Sequence, residues 1–327
     1  MARPTVVLTD PIDQAGLDLL TGRVEVVRGF GGVTPDELAG MLRQADGMIV
    51  RAFRATAEVI TGLPRLKVIV KHGAGVDNID VDAATARGVA VVNTPQAGAV
   101  AVAEHTVMLM MAAARRAVPA HEAVRSGDYR VRDVWRLTEL HDKVLGIVGL
   151  GHIGRRVAHI CAMGLGMRVV AYDPFLPEDA EAVPGVTRAG SLGELLRMAD
   201  VLTLHAPLTT GSAHLVGAEE IAAMKPGAIL VNTARGGLVD EQALAVALRE
   251  GRLTAAALDV FEVEPPEPGN PLFDLPNVLT SPHVGGLSWE GAARVALAAA
   301  ETAVSFLCEG GTGPGRLLNP AYLAPAR

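Results

Sequence analysis

Hydrophobic positions fall into short runs that alternate with longer, helically spaced patterns along almost the whole chain. Five apolar runs come first: Thr5–Leu8, Glu25–Val27, Met48–Val50, Val68–Val70 and Ala90–Val92. Short runs rich in Val and Ile, bounded by turn residues, predict strands. Helical patterns lie between most of them, as at Pro35–Gln44 and Asp82–Arg87. A second series follows: Val144–Val148, Val169–Tyr172, Val201–Leu204, Ala228–Val231, Ala255–Leu258 and Val278–Thr280. Strands alternating with helices imply βαβ units and a parallel sheet. Two such series predict an α/β protein with two doubly wound sheets.

Between the series, Val100–Ala117 predicts a long apolar helix closed by Pro119, and after the second series Ser288–Cys308 predicts another, rich in Ala. Two long helices bracketing the second series suggest that it is one domain (100–287) inserted into another (1–99 and 288–327). The tail Gly310–Arg327 would then return to the first domain. Two sequential domains with a terminal helix remain an alternative. Glu262–Pro271, rich in Pro and Glu, reads as a loop within the second series rather than a linker. No short internal repeat or low-complexity tract stands out.

Composition agrees with this architecture. The 327 residues suffice for two domains. Half are hydrophobic and 3% aromatic, so Val, Leu, Ile and Ala must build the core, as suits a parallel sheet covered by helices. A net charge of −7 argues against a nucleic-acid or anionic-membrane partner, so an anionic ligand would need a few local Lys or Arg residues. Cys161 and Cys308 lie in apolar helical patterns and are expected to be buried free thiols in a reducing compartment. No basic-then-apolar leader opens the chain. The most apolar run, Val100–Ala114, contains Glu104 and His105 and falls short of the roughly 20 residues a membrane span needs. A cytoplasmic protein without a membrane partner or a metal site is expected.

In open parallel sheets, ligands bind beyond the carboxyl ends of the strands. In the second series those ends carry Gly149-Leu150-Gly151-His152-Ile153-Gly154, then Asp173, His205, Thr233-Ala234-Arg235, Asp259 and His283. In the first they carry Asp10, Arg51, Lys71-His72-Gly73 and Asn93-Thr94. If the two edges face each other, the cleft between them would be the active site. The run Gly149–Gly154 fits G-x-G-x-x-G. Gly149 would allow the tight turn, Gly151 the approach of a pyrophosphate, and Gly154 close helix–strand packing. The amides at the helix start would hold the phosphates. Asp173 follows about 20 residues later, as an acid for ribose hydroxyls should, and would repel the extra phosphate of NADP. NAD is therefore the expected cofactor, although Asp173 would also suit an ordinary turn before Pro174.

Three further residues suggest chemistry. Arg235, in NTARGGLVDE, precedes a helix expected near Asp240, where a cation is not favoured. It could fork onto a carboxylate and a neighbouring carbonyl, or be a surface arginine. Glu264 and His283, taken singly, would suit a loop acid and a structural histidine. Together the three offer a carboxylate clamp, an acid–base and its orienting partner. A carboxylate beside an imidazole fixes its tautomer and favours its protonated form, which suits proton donation to a ketone oxygen.

At this point the chain resembles a known family, the D-isomer-specific 2-hydroxyacid dehydrogenases, and most of all their phosphoglycerate dehydrogenase-like branch. The resemblance covers nearly the whole chain. It rests on GAGVDNID (73–80), VVNTP (91–95), VAEHT (102–106), GIVGLGHIG (146–154), AYDP (171–174), HAPLT (205–209), NTARGGLVDE (232–241), ALDVFEVEPP (257–266) and SPHVGG (281–286). The resemblance implies a Rossmann NAD-binding domain inserted into a flavodoxin-like substrate domain. Arg235, Glu264 and His283 then match the family's catalytic set. Arg235 would hold the substrate carboxylate and polarise the 2-oxo group, His283 would move the proton, and Glu264 would pair with His283. Gly149, Gly151, His152, Ile153, Gly154, Asp173, His205, Ala206, Pro207, Thr233, Ala234, Arg235, Asp259, His283 and Gly285 are implied to line the cofactor, with Asp259 on the nicotinamide side. The loop Gly73-Ala74-Gly75-Val76 resembles the one whose amides take the substrate carboxylate, beside Arg235. The helix around 100–117 resembles part of the family's dimer interface.

Two departures bear on the substrate. Phosphoglycerate dehydrogenases often carry an Arg/Lys pair in the loop after the third strand; here it is the shorter R-A-F-R, with Arg51 and Arg54. Both could reach a distal anion or simply face solvent. Lys71-His72 stands where many members have Arg-Ala, and Lys71 adds charge near the site or caps a strand. 3-Phosphoglycerate is the leading substrate expected, with glyoxylate or hydroxypyruvate the alternative and an NAD-sensing, corepressor-like regulator a reading of another class. Feedback through a C-terminal regulatory domain is not expected.

Overall fold

Thirteen strands form two sheets among the described residues, which are 2–177 and 183–323 of the computed structural model. The chain divides into two units, Met1–Gly98 with Leu287–Arg327, and Ala99–Gly286. The first contains β1 (Thr5–Leu8), β2 (Glu25–Arg28), β3 (Gly47–Val50), β4 (Val68–Lys71), β5 (Ala90–Asn93) and, from the other end of the chain, β13 (Arg316–Leu317). The second contains β6 (Val144–Val148), β7 (Arg168–Tyr172), β8 (Val186–Arg188), β9 (Val201–Leu204), β10 (Ala228–Asn232), β11 (Leu253–Leu258) and β12 (Val278–Thr280).

In the first unit the strand order is β13-β5-β4-β3-β1-β2. The five strands from β1 to β5 are parallel, in the flavodoxin-like order, and β13 closes the edge antiparallel to β5. Strands β3, β4 and β5 are buried along their whole length, which is why they read as unbroken apolar runs rather than alternating ones. Neighbouring residues of β1 feed opposite faces: Val7 packs with Leu42, Ile60 and Ile69, while Val6 and Leu8 pack with Leu20, Val70 and Ala300. The helix Gln14–Leu20 approaches the helix Trp289–Val304 so closely that a Cβ on Gly16 would lie 2.7 Å from the Ala296 carbonyl oxygen.

In the second unit seven parallel strands run β12-β11-β10-β9-β6-β7-β8. This is the doubly wound dinucleotide-binding order, extended by one strand, with the order reversing between β6 and β9. Leu145 and Ile147 of β6 pack with Leu109 and Met110 of the helix Ala99–Ala114 and with Val157 of the helix His152–Leu165. Val144 and Val148 face the other layer, with Leu195, Leu244 and Leu248.

Several expectations change. The apolar helix ends at Ala114 rather than 117, and Pro119 does not close it; Pro119 sits in the first turn of a new helix, Ala117–Arg125, where its missing N–H costs nothing. The break falls at Arg116, in the left-handed region with φ 48°, whose guanidinium lies 4.3 Å from the Trp135 ring centre. Strands β8 and β13, too short to show a pattern, were not predicted. The helix after Ser288 is α-helical to Val304 and ends in a π-turn over Ser305–Glu309. Cys161 is buried as expected, but Cys308 is exposed. Among the described residues one segment, Trp289–Glu309, has the length and apolarity to cross a membrane. Half of it is buried, and Ala299, Ala300 and Ala303 sit in the first unit's core. The last four residues of the tail expected to return to this unit (324–327) lie outside the described residues.

Candidate active site

The glycine turn after β6 is built as its spacing demands. Gly149 has φ 90°, and a Cβ there would stand 2.7 Å from the His205 carbonyl oxygen, so the loops after β6 and β9 touch where the strand order reverses. A Cβ on Gly154 would stand 2.1 Å from the Gly149 oxygen, which makes this glycine the one that seats the helix on its strand. Gly151 has open space instead, and it caps the helix His152–Leu165 without any side-chain hydrogen bond. The N-cap thus supplies no side-chain acceptor at that helix start, the kind of position where an anion binds. Asp173, at the end of β7, braces the turn: one carboxylate oxygen accepts from the Leu150 amide at 2.9 Å, the other from the Phe175 amide at 3.0 Å.

His205 follows β9. Its Nε2 lies 3.1 Å from Thr203 Oγ1, whereas its Nδ1 is buried with no hydrogen-bond partner among the described residues. Burial pushes the imidazole down to about 3, so it is neutral at physiological pH. Beyond it lie Ala206 and Pro207. After β10, Thr233 is buried and shares a 2.7 Å hydrogen bond with Thr106. Asn232 folds the next residues into a tight turn, accepting from the Ala234 amide at 3.0 Å and donating to the Arg235 carbonyl at 2.8 Å.

The Arg235 loop packs closely against the loop after β11. A Cβ on Gly236 would fall 1.8 Å from the Phe261 carbonyl carbon, so only glycine permits this approach. Glu241 and Glu262 lock the two loops reciprocally: the Glu241 amide donates to Glu262 at 2.9 Å and the Glu262 amide to Glu241 at 2.7 Å. Asn270 adds a donor to Glu241 at 2.5 Å.

This approach assembles Arg235, Glu264 and His283. Glu264 Oε2 lies 2.7 Å from His283 Nδ1, and its Oε1 accepts from the Phe261 amide at 3.1 Å. Burial opposes ionisation of Glu264, but the hydrogen bond and charge of His283, the Phe261 amide and the Arg235 charge together hold its carboxyl below the usual range. His283 Nδ1 is therefore engaged, and half the side chain remains exposed at 51%. His283 itself has φ 53°, a conformation uncommon for any residue but glycine. Asp259 and Gly285, expected on the cofactor, join in the same loop: the Gly285 amide donates to Asp259 at 2.8 Å. His105 and Ser281, whose place in the site their sequence motifs do not reveal, also bind here, His105 Nε2 lying 3.0 Å from Ser281 Oγ. The signal for His105 was an imidazole standing in a largely apolar helix.

In the first unit, Arg51 and Arg54 are exposed after β3. Asp10 anchors their loop, accepting from Thr9 Oγ1 at 2.7 Å, the Arg51 amide at 3.0 Å and the Phe53 amide at 3.3 Å. Lys71 is buried, and its ammonium donates to the Arg51 carbonyl at 2.6 Å and to Asn78 Oδ1 at 2.7 Å. Its strand-end position thus makes it a strut for the Arg51–Arg54 loop. Beside it, burial and the charges of Arg51 and Lys71 push His72 down to about 4. Gly73 has φ 123°, and the loop Gly73-Ala74-Gly75-Val76 is held by the Gly73 amide on Thr94 Oγ1 at 3.0 Å and by Asn93 on the Ala74 carbonyl at 2.5 Å.

Residues 107–285 match the family model of the D-isomer specific 2-hydroxyacid dehydrogenase, NAD binding domain. The chain belongs to this family. A D-3-phosphoglycerate dehydrogenase of Methanocaldococcus jannaschii is 44% identical over 288 residues, 87% of this chain and 54% of that protein. A hydroxypyruvate reductase of Thermotoga maritima is 40% identical over 300 residues, 91% of this chain and 96% of that protein. The crystal structure of a glyoxylate reductase from Paecilomyes thermophila superposes with a TM-score of 0.85 at 31% identity, covering 95% of this chain and 98% of that one. The chain spans about half the length of the phosphoglycerate dehydrogenases it matches first. The residues present fit NAD, the cofactor of the family's domain: an uncapped helix start, open space at Gly151, a carboxylate after β7 and a buried orphan nitrogen on His205 beside the turn.

Proposed function

We propose that the protein is an NAD-dependent D-2-hydroxyacid dehydrogenase acting on a small anionic 2-hydroxy or 2-oxo acid. The observation that carries this reading is the Arg235–Glu264–His283 set beside a dinucleotide-binding turn in one sheet. NAD(H), when bound, would supply or accept the hydride at the substrate C2. Arg235 binds the substrate carboxylate and draws charge toward the 2-oxo oxygen. His283, held through Nδ1 by Glu264, gives its Nε2 proton to that oxygen during reduction and takes it back during oxidation. Glu264, kept ionised, stabilises the imidazolium that donates. The helix start after Gly151 and the Asp173 carboxylate would hold the cofactor phosphates and ribose.

For the substrate, 3-phosphoglycerate is the leading assignment. It is supported by Arg51 and Arg54 in a loop braced from both sides by Asp10 and Lys71, and by the Gly73–Val76 loop for a carboxylate. The second reading is hydroxypyruvate or glyoxylate, supported by a hydroxypyruvate reductase matched over 96% of its length. NADH oxidation and NAD reduction against a panel of these acids separate the two. Arg54→Ala should raise KM for 3-phosphoglycerate about tenfold and leave glyoxylate unaffected. His283→Ala should abolish turnover, and full activity in that variant would sink the mechanism. NAD binding without turnover of any acid would favour an NAD-sensing regulator.

The assembly proposed is a homodimer through the helical segment from Ala99. Its support is a run of exposed apolar side chains: Met108, Met111, Val118, Val124, Tyr129 and Val134. Light scattering reads the mass directly. A cytoplasmic location accords with two unpaired cysteines.

A further inference from the structure

We propose that His105 and Ser281 are positioning residues that act on His283 through the buried carboxylate of Asp259. The inference rests on the dehydrogenase reading for the role of His283, but the geometry stands by itself. Asp259 is 1% exposed and lies at the end of β11. Its backbone oxygen accepts from the His283 amide at 2.8 Å. Its carboxylate gathers the residues on both sides of that histidine: Ser281 Oγ at 2.6 Å, the Val284 amide at 3.0 Å and the Gly285 amide at 2.8 Å.

Such a clamp explains how His283 is kept at φ 53°. A non-glycine residue in that region is strained and persists only where its surroundings over-determine it. Asp259 fixes the residues before and after the strained position, leaving the imidazole one orientation toward Glu264. The carboxylate is fixed in turn from the helix Ala99–Ala114. His105 Nε2 lies 3.0 Å from Ser281 Oγ and 3.3 Å from Asp259 Oδ1. Since Ser281 spends its hydrogen on Asp259, its oxygen must accept from His105, which makes Nε2 the protonated nitrogen of that ring. The His105 ring also packs on Gly285, where an added Cβ would meet it at 3.3 Å and the Asp259 carboxylate at 2.9 Å. A chain of donors thus runs from the apolar helix through Ser281 to Asp259, and ends on the backbone that carries the acid–base.

The test compares His105→Leu, His105→Gln, Ser281→Ala and the wild type. In His105→Leu and Ser281→Ala the amides of Val284 and Gly285 should exchange hydrogen at least tenfold faster, and kcat should fall at least tenfold. NADH affinity, read by fluorescence, should change less than threefold. His105→Gln retains a donor near the Nε2 position and should recover both exchange protection and kcat to within threefold. Unchanged exchange in His105→Leu and Ser281→Ala would overturn the proposal, as would lost protection with kcat within twofold of wild type. A parallel loss of NADH affinity and kcat would also overturn it, because the cluster would then hold the cofactor rather than the histidine. If the wild type turns over no acid, the dehydrogenase reading fails, and hydrogen exchange alone still decides whether His105 and Ser281 hold the His283 turn.

Discussion

Gly236→Ala should disable the site by parting the two loops that form it. The added Cβ would stand 1.8 Å from the Phe261 carbonyl carbon, 2.0 Å from its oxygen and 2.4 Å from the Glu262 amide nitrogen. Ordinary contact begins near 3.4 Å, so the loops must separate by about 1.5 Å. All three obstructing atoms are backbone, and no side-chain rotation relieves the overlap. The Phe261 amide donates to Glu264, so Glu264 moves with its loop, and His283 loses its partner or follows it away from Arg235. A misplacement of about 1 Å costs roughly 100-fold in rate, equivalent to about 2.7 kcal/mol of transition-state stabilisation. Overpacking should cost a further ~1–3 kcal/mol of stability, which lowers Tm without unfolding the chain at room temperature. The assay is kcat by NADH absorbance with the best acid of the panel, beside circular dichroism and NADH titration. NADH affinity should fall less than kcat, since the Gly149–Gly154 turn follows a different strand. A folded Gly236→Ala enzyme with kcat within threefold of wild type would refute the argument.

If the Asp173 carboxylate disfavours a 2′-phosphate, Asp173→Ala should narrow the kcat/KM ratio of NADH to NADPH at least tenfold; an unchanged ratio would assign Asp173 only to bracing Leu150 and Phe175. Acid should destabilise the fold through His72 and His205, whose folded values lie near 4 and 3 against an ordinary 6.5. Both stay neutral in the folded chain while the unfolded chain takes protons below pH 6.5. Their contribution is therefore complete above pH 6.5 and is lost as pH falls toward 4, by up to about 1.4 kcal/mol per pH unit for each. Urea midpoints from pH 7 to pH 5 should show the fall, and His72→Phe should make it less steep, with the part due to His205 remaining. Native protein should yield one thiol to a disulfide reagent at pH 8, from exposed Cys308, and a second only when unfolded, because burial pushes the Cys161 thiol up to about 12.

Much of this architecture is legible in the sequence. Eleven strands were marked by apolar runs within two residues of their observed ends, because the central parallel strands are covered on both faces and exclude polar positions, while β2 and β12, less buried, keep a shorter apolar stretch. Asp240 was expected near the start of a helix and caps it, accepting from Ala243. The glycine turn was legible for the same local reason: Gly149 needs positive φ and Gly154 cannot carry a Cβ, and only one residue type meets either demand. The helix break at Arg116 was not legible, since the proline that suggested it fits a first helical turn as well as an end. Strands β8 and β13 are too short to carry a period and exist through their pairing with β7 and β5.

The sequence by itself determined which residues stand at strand ends, and so which side chains are available for chemistry, because that information is local and periodic. The tertiary structure alone decided what those side chains do to one another. Lys71 is drawn onto Arg51 and Asn78, Gly236 lies against Phe261, and Asp259 gathers Ser281, Val284 and Gly285 with His105 behind them. A buried polar group must find its partner wherever the fold brings one, and His105 finds Ser281 across 176 residues of chain. Spacing along the sequence carries no trace of such a pairing; the packing of the helix Ala99–Ala114 within its unit creates it.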